Sequence, residues 1–268
     1  MKIALLISTY NWPEAIDLCL KSVMQQVVLP DEIIIADDGS KEPTLRVIQQ
    51  YQQLSKVPII HVWHEDNGFQ VGKIRNKAIA QSTSDYIVQI DGDMLLHPYF
   101  ISDHKAFAKP NSFVRASRIY LNDSLTAEKF QTKDVQINRF DKRVSNFFSA
   151  FRSPLLWGLL ASNYKMKGAE RWEIHGCNMA FWRSNMIGVN GYNEEMVGWG
   201  LEDKEVVVRL LNAGFEKRFL KFGGIAYHLH HPYNSRNNYN INEVIFQEAI
   251  QKNSKYCSLG IAQYLIKE

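Results

Sequence analysis

The sequence predicts an α/β fold on a mostly parallel central sheet, and three observations predict it. Several short apolar runs are continuous rather than alternating, as expected of strands buried on both faces. Helical patterns separate these runs, which is the βαβ rhythm. Acidic and amide side chains collect where the runs stop, and folds of this class bind ligands beyond the carboxyl ends of their strands.

The first run, Lys2 to Ile7, closes on Ser8, Thr9, Tyr10 and Asn11. Pro13 suits the first turn of a helix, and Asn11 is placed to cap it. Ala15, Ile16, Leu18, Cys19, Val23 and Met24 then form one apolar stripe. A second strand from Glu32 to Ala36 ends in Asp37-Asp38-Gly39-Ser40. A third run, Val57 to Trp63, leads to Asp66-Asn67-Gly68 and a helix entered by Lys73, Arg75 and Lys77. The fourth strand, Tyr86 to Ile90, closes on Asp91-Gly92-Asp93.

That last triplet carries the most chemistry. On extended backbone, residues two apart point to the same side. Two carboxylates so placed repel one another and lose hydration unless a cation neutralises them. A divalent, oxygen-loving metal bound to a diphosphate does this. An isolated Asp-Gly reads as a surface turn. Here a cationic helix entry faces three acidic strand ends, which makes sense with a diphosphate between them. No G-x-G-x-x-G follows the first strand, which disfavours a dinucleotide-binding enzyme.

Two features stand out in the carboxyl half. In Gly198-Trp199-Gly200-Leu201-Glu202-Asp203, two acids precede a helix expected from Glu205 to Asn212 and closed by Gly214. Acids at a helix amino terminus are favourable through its dipole, but that does not explain an indole between glycines. Trp199 is a platform on which an apolar sugar face can lie. An ionised acid beside it can take a proton from an attacking hydroxyl. The second feature is Tyr227-His228-Leu229-His230-His231, whose spacing does not suit structural zinc.

Ser8-Thr9-Tyr10-Asn11, Asp37-Asp38-Gly39-Ser40, Asn67-Gly68 with Arg75-Asn76, and Asp91-Gly92-Asp93, in this order, resemble the family 2 glycosyltransferases of the GT-A fold. From Gly176-Cys177-Asn178-Met179-Ala180-Phe181 to Gly198-Trp199-Gly200-Leu201-Glu202-Asp203, the chain is similar to a galactosyltransferase carboxyl-terminal module. Bacterial chondroitin-type polymerases and animal β-1,4-galactosyltransferases also carry that module. The resemblance covers residues 1–110 and 172–232. It implies that Thr9, Tyr10, Asn11 and one of Asp37 or Asp38 hold the nucleoside, usually uridine. Arg75 and Asn67 would serve the nucleotide and diphosphate, and Asp91 the ribose and metal. Asp93 would ligate Mn²⁺ or Mg²⁺, with His228 the best-aligned second ligand among His228, His230 and His231. His230 would share the strand face of His228, and His231 would join only if the strand has ended. Asp203 matches the base position, Glu202 would orient acceptor hydroxyls, and Trp199 would touch both sugars. The implied reaction is inverting transfer from a nucleotide-sugar donor to a glycan or glycolipid, in a setting such as bacterial surface polysaccharide synthesis.

Composition is consistent with this. The 268 residues suffice for one substantial core, and 46% hydrophobic with 22% charged content is ordinary for a soluble enzyme. Cys19, Cys177 and Cys257 are widely spaced and read as reduced core residues, which suits the cytoplasm. Neither a signal peptide nor a spanning segment is visible. A net charge of +3, without a basic arm, gives no reason to expect nucleic-acid binding.

Residues 1–110 are expected to form the nucleotide-binding half, 111–171 a variable insertion, 172–232 the acceptor half and 233–268 a tail. The tail begins with the polar run Asn234 to Asn240 and continues as a helix from about Asn242 to Lys252. Within residues 142–171, Phe147, Phe148, Phe151, Leu155, Leu156, Trp157, Leu159 and Leu160 stand among Lys142, Arg143, Arg152, Lys165, Lys167 and Arg171. This segment reads as a core-facing helix, a lid, or a peripheral membrane contact at the inner face of the plasma membrane. Two rival functions are a nucleotide-sugar-binding protein without turnover and a nucleotidyltransferase. The acids at the proposed base and metal positions oppose the first. The absence of a Gly-rich basic loop after the first strand opposes the second.

Overall fold

The computed structural model describes residues 1–162, 167–232 and 238–265. Its centre is a seven-stranded sheet in the order β3-β2-β1-β4-β8-β6-β9. The strands are β1 (Ile3–Thr9), β2 (Glu32–Asp37), β3 (Ile59–Trp63), β4 (Tyr86–Asp91), β6 (Ser112–Ala116), β8 (Asn178–Trp182) and β9 (Glu216–Leu220). β1, β2, β3 and β4 are parallel, as the continuous apolar runs require; every residue of β1 and β2 is buried. β8 alone runs against its neighbours. It pairs with β4 from Tyr86↔Trp182 to Ile90↔Asn178 and with β6 from Phe113↔Phe181 to Arg115↔Met179. A smaller sheet orders β5 (Met94–Leu96), β10 (Ala226–His228) and β7 (Ile119–Tyr120) as β5-β10-β7.

Helices cover both faces. α1 (Pro13–Met24) and α2 (Glu42–Leu54) contribute Ile16, Cys19, Leu20, Val23, Ile48 and Tyr51 to one apolar cluster. α3 (Val71–Gln81) and α8 (Glu202–Asn212) contribute Ile74, Ala78, Val206, Val207 and Leu210 to another. The remaining helices are α4 (Phe100–Phe107), α5 (Asp123–Thr132), the short α6 (Trp157–Leu160), α7 (Arg183–Gly188) and α9 (Tyr239–Gln251). Phe215 N–H donates to the Leu210 carbonyl and Gly214 N–H to that of Leu211. With Gly214 at φ +92°, this is the glycine stop expected for α8. Cys19, Cys177 and Cys257 are buried free thiols.

Four expectations are corrected. Pro13 does open α1, but Asn11 does not cap it. Asn11 sits at φ +45°, and its side-chain oxygen accepts from Lys41 N–H, which ties the end of β1 to the start of α2. α8 begins at Glu202, so both acids lie inside its first turn rather than ahead of it. Among the described residues of 142–171 there is no long helix. Their described part consists of 3-10 turns at Phe147–Ala150, Pro154–Leu156 and Gly168–Trp172, with α6. α9 starts at Tyr239, inside the polar run, where Asn238 and Tyr239 pack against Gly198 and Gly200. Asn234, Ser235, Arg236, Asn237 and Lys165 fall outside the described residues. Among the described residues, no helix is long and apolar enough to cross a membrane.

Candidate active site

The carboxyl ends of β1, β2 and β4 and the amino end of α8 converge on one cleft. Gly92 is what allows the acidic strand end to close on β1. Its N–H donates to the Ser8 carbonyl at 2.7 Å, and a Cβ there would lie 3.1 Å from that oxygen. Arg75, from the second turn of α3, is the hub. Its Nε donates to Ser8 Oγ at 2.9 Å, one terminal nitrogen to Asp91 Oδ1 at 2.9 Å, and the other to Asp203 Oδ1 at 3.0 Å. The guanidinium is buried, 5.4 Å from the centre of the Tyr192 ring. Asn76 fixes Tyr192 by bonding both its backbone N–H and its carbonyl. Tyr192 in turn donates to Gln89 in β4. Of the three cations read at this helix entry, only Arg75 joins the acids; Lys77 lies over Tyr264, on another side of α3.

Glu202 and Asp203 are adjacent but differ in environment. Glu202 is 8% exposed, and its carboxylate accepts from Gly200 N–H at 3.0 Å. Burial, with Asp203 beside it, pushes its carboxyl up to about 7. Burial raises Asp203 too, while Arg75 opposes the rise. Gly176 leaves Asp203 its space, since a Cβ at that position would lie 2.0 Å from Oδ2. Trp199 is half-buried. The flanking glycines have a backbone reason: Gly198 and Gly200 take φ of +82° and +116°, followed by Leu201 at +73°. This tight turn delivers the acids to the head of α8.

On the other side of the cleft, Asp93 meets His228 and His231. Asp93 Oδ2 lies 3.5 Å from His228 Nε2 and 3.4 Å from His231 Nε2. The other oxygen of Asp93 is buried without a hydrogen-bond partner. Both histidines direct Nδ1 at a backbone carbonyl, of Leu229 and Pro232 respectively. The proton therefore belongs on Nδ1, and the Nε2 lone pair is left for a ligand. These three ligand atoms lie within 4.8 Å of one another. An orphaned carboxylate oxygen and two presented imidazoles are a donor set suited to Mn²⁺, and to Mg²⁺ less well because of the nitrogens. β10 ends at His228, so the chain is free to turn His231 inward. His230 is half-exposed, 3.7 Å from Asp123, and does not share the face of His228.

At the far side, β2 ends in two carboxylates, each held by a histidine. Asp37 is fully buried, accepts from Ser40 N–H, and lies 2.9 Å from His61 Nε2. Asp38 lies 2.6 Å from His64 Nε2 and accepts from Gln70 N–H at the head of α3. Burial raises the Asp38 carboxyl, and these two bonds oppose it. Thr9 is buried, with its carbonyl accepting from Asp38 N–H. Tyr10 is 50% exposed and donates to Asp66. Asn67 stands exposed in the turn before α3 and is not hydrogen-bonded to Arg75. Sequence reasoning did not single out Gly176, His61, His64, Asp66 or Tyr192 as site residues. Gly176 and Asp66 left a signal, each as the first residue of a quoted stretch.

The family model described as "Glycosyl transferase family 2" matches residues 4–179, and "N-terminal domain of galactosyltransferase" matches 159–232. The chain is similar to a chondroitin synthase of Pasteurella multocida, with 26% identity over 245 residues, covering 86% of this chain and 25% of that protein. It spans 25% to 35% of the length of the first curated relatives it matches. Among solved structures it is similar to S. aureus TarS 1-349 in complex with UDP-GlcNAc, with TM-score 0.63, 15% identity, and coverage of 98% of this chain and 69% of that one. It is also similar to the mannosyltransferase PcManGT from Pyrobaculum calidifontis in complex with GDP-Man and Mn²⁺, with TM-score 0.60, 16% identity, and coverage of 93% and 64%.

Proposed function

Since the chain belongs to glycosyl transferase family 2, we propose that it transfers a sugar, with inversion, from a UDP-sugar to a hydroxyl of a glycan or glycolipid. One observation carries this reading: a single guanidinium joins Asp91, at the end of a nucleotide-side strand, to Asp203, at the head of α8. In this reading residues 1–110 hold the donor and 172–232 the acceptor, and the two meet at Arg75.

The two neighbouring carboxyls divide the proton chemistry. Glu202, half-protonated near neutrality, orients an acceptor hydroxyl. Asp203, paired with the Arg75 guanidinium, accepts the proton. The hydroxyl oxygen forms the new bond to the anomeric carbon as the bond from that carbon to the phosphate oxygen breaks. The electron pair of the broken bond leaves on the diphosphate, so no covalent enzyme intermediate is needed. Asp93, His228 and His231 would hold a divalent cation, Mn²⁺ or Mg²⁺. When bound, it supplies positive charge against the leaving diphosphate.

For the nucleoside, Tyr10 offers an exposed ring and Thr9 and Asn11 shape the end of β1. One of Asp37 or Asp38 is the acidic contact; both are buried, and each already commits its two oxygens, Asp37 to Ser40 and His61 and Asp38 to His64 and Gln70. Asp91 serves the ribose. Arg75 acts on the nucleotide side through Asp91, since its three bonds are already made. Trp199 is the sugar platform. Calorimetry of UDP, GDP and CDP, each with Mn²⁺ and with EDTA, tests the donor site. Tight, metal-dependent UDP binding is expected, and no binding of any nucleotide would overturn the reading.

The setting proposed is the cytoplasmic face of a membrane, where nucleotide sugars meet glycolipid acceptors. Phe148, Leu155 and Leu159 are 72%, 94% and 70% exposed, and the Arg139 guanidinium lies 5.4 Å from the ring of Phe151 in the same segment. Aromatic and aliphatic tips flanked by cations suit an anionic lipid surface. Flotation with vesicles containing phosphatidylglycerol should carry the protein, and Leu155→Ser with Phe148→Ser should abolish it. Wild type that stays in the pellet would remove this part of the reading.

A further inference from the structure

Between β6 and β7 the chain places Arg118 where the histidine side and the base side of the cleft meet. Its guanidinium lies 4.7 Å from the centre of the Tyr120 ring, and that ring lies 5.5 Å from His228. One terminal nitrogen faces Cys177 Sγ at 3.8 Å. Cys177 follows Gly176, the residue that packs against the Asp203 carboxylate. Arg118 therefore stands between the candidate metal ligands and the candidate base.

Its donors are not filled by protein oxygens. Arg118 Nε is buried and has no hydrogen-bond partner. Among the described residues no carboxylate forms an ion pair with Arg118, and its one hydrogen-bond acceptor is a thiol, which accepts weakly. Contrast Arg75, which sends three nitrogens to three oxygens. A half-buried guanidinium has lost part of its hydration and recovers it only through good acceptors. Its planar fork matches two oxygens of one anionic group.

The sheet order indicates which anion. The nucleoside residues lie at the ends of β1, β2 and β3, and the acidic triplet closes β4. Arg118 follows β6, two strands beyond β4 on the opposite flank. A metal-bound diphosphate at Asp93 and His228 would lie across the Tyr120 ring from Arg118, whereas Cys177 and Gly176 connect Arg118 to Asp203. The group that arrives there is the one that approaches Asp203, the acceptor.

We propose that Arg118 forms an anion subsite for the acceptor, taking a carboxylate or phosphate substituent on the acceptor sugar. This rests on the sugar-transfer reading above. The shared chemistry is a pair of anionic oxygens, and the two sources are separated by the probes used.

The test is an NMR titration of the UDP·Mn²⁺-loaded protein with methyl β-glucuronide, glucose 6-phosphate and methyl β-glucoside. One anionic probe is expected to bind about tenfold or more tighter than the neutral one, the factor a charge-assisted hydrogen bond supplies. The tighter of the two identifies the substituent. Arg118→Met should erase the preference while leaving UDP affinity in Mn²⁺ unchanged. Arg118→Lys should retain part of it, which separates lost charge from a misfolded loop. Equal binding of all three probes by wild type would overturn the proposal. So would a tenfold loss of UDP affinity in Arg118→Met, which would make the diphosphate the anion. Failure of UDP to bind wild type at all would instead strike the donor site and the functional reading itself.

Discussion

Glu202→Gln isolates one burial effect and predicts its pH dependence. The Glu202 carboxyl is pushed up to about 7 from an ordinary 4.5, and the side chain is 8% exposed, so solvent screening takes little from the effect. A carboxyl raised on folding stabilises the fold fully below its unfolded value. That contribution is lost as pH rises through the folded value. Each pH unit between the two is worth about 1.4 kcal/mol, so the full loss is about 3 kcal/mol, most of which falls between pH 5 and pH 8. Glutamine keeps an oxygen for Gly200 N–H and cannot ionise. The variant should therefore exceed wild type by about 1 kcal/mol at pH 5 and by about 3 kcal/mol at pH 8. Urea unfolding of both proteins at pH 5, 6, 7 and 8 measures this. Other groups titrate in both proteins, so the difference between the two is the quantity to follow. A difference that stays flat within about 0.5 kcal/mol would refute the reasoning and place Glu202 in an ordinary, solvated environment.

Asp203→Asn should keep UDP affinity in Mn²⁺ and lose transfer by about 10²- to 10⁴-fold, the range for a lost general base; near wild-type turnover would move the base elsewhere. Asp93→Ala should abolish the difference between UDP binding in Mn²⁺ and in EDTA, with His231→Ala weakening Mn²⁺ binding in the same titration. Equal affinity in the two buffers for wild type would remove the metal assignment. Gly176→Ala builds a methyl 2.0 Å from Asp203 Oδ2, so that carboxylate must move by more than an ångström. Transfer should fall about 100-fold, as misplacements of that size do, while UDP affinity holds; turnover within threefold of wild type would show that the site absorbs the methyl.

The parallel half of the sheet was legible because strands buried on both faces leave continuous apolar runs. Ile3 to Ile7, Ile33 to Ala36 and Tyr86 to Ile90 are read correctly for that reason, and their polar terminators mark the cleft. β8 offered no local sign of its direction. Its reversal between β4 and β6 is decided by pairing across about ninety residues of chain. The 142–171 segment misled for a different reason: an apolar, cationic composition has no period that separates short turns from one helix.

At the site, residue types were readable and partnerships were not. Arg75 was assigned to the nucleotide side from its position in a motif. Its bonds to Asp91 and Asp203 depend on how far α3 stands from α8, which no spacing encodes. His231 depended on where β10 stops. The glycines around Trp199 looked like a ligand feature, yet Asn238 and Tyr239 at the start of α9 account for their lack of a side chain.

The reversed strand has a consequence for how substrates are trapped. Because β8 is zipped to β4 on one side and to β6 on the other, the part of the chain bearing Asp203 is not hinged to the part bearing Asp91 and Asp93. Opening the cleft as two jaws would tear a ladder out of the middle of the sheet. Exclusion of water during transfer must instead come from segments outside that ladder, such as the turn at 196–201 and residues 229–232 after β10. Product release is then a matter of loop kinetics, and substitutions there should alter turnover more than stability.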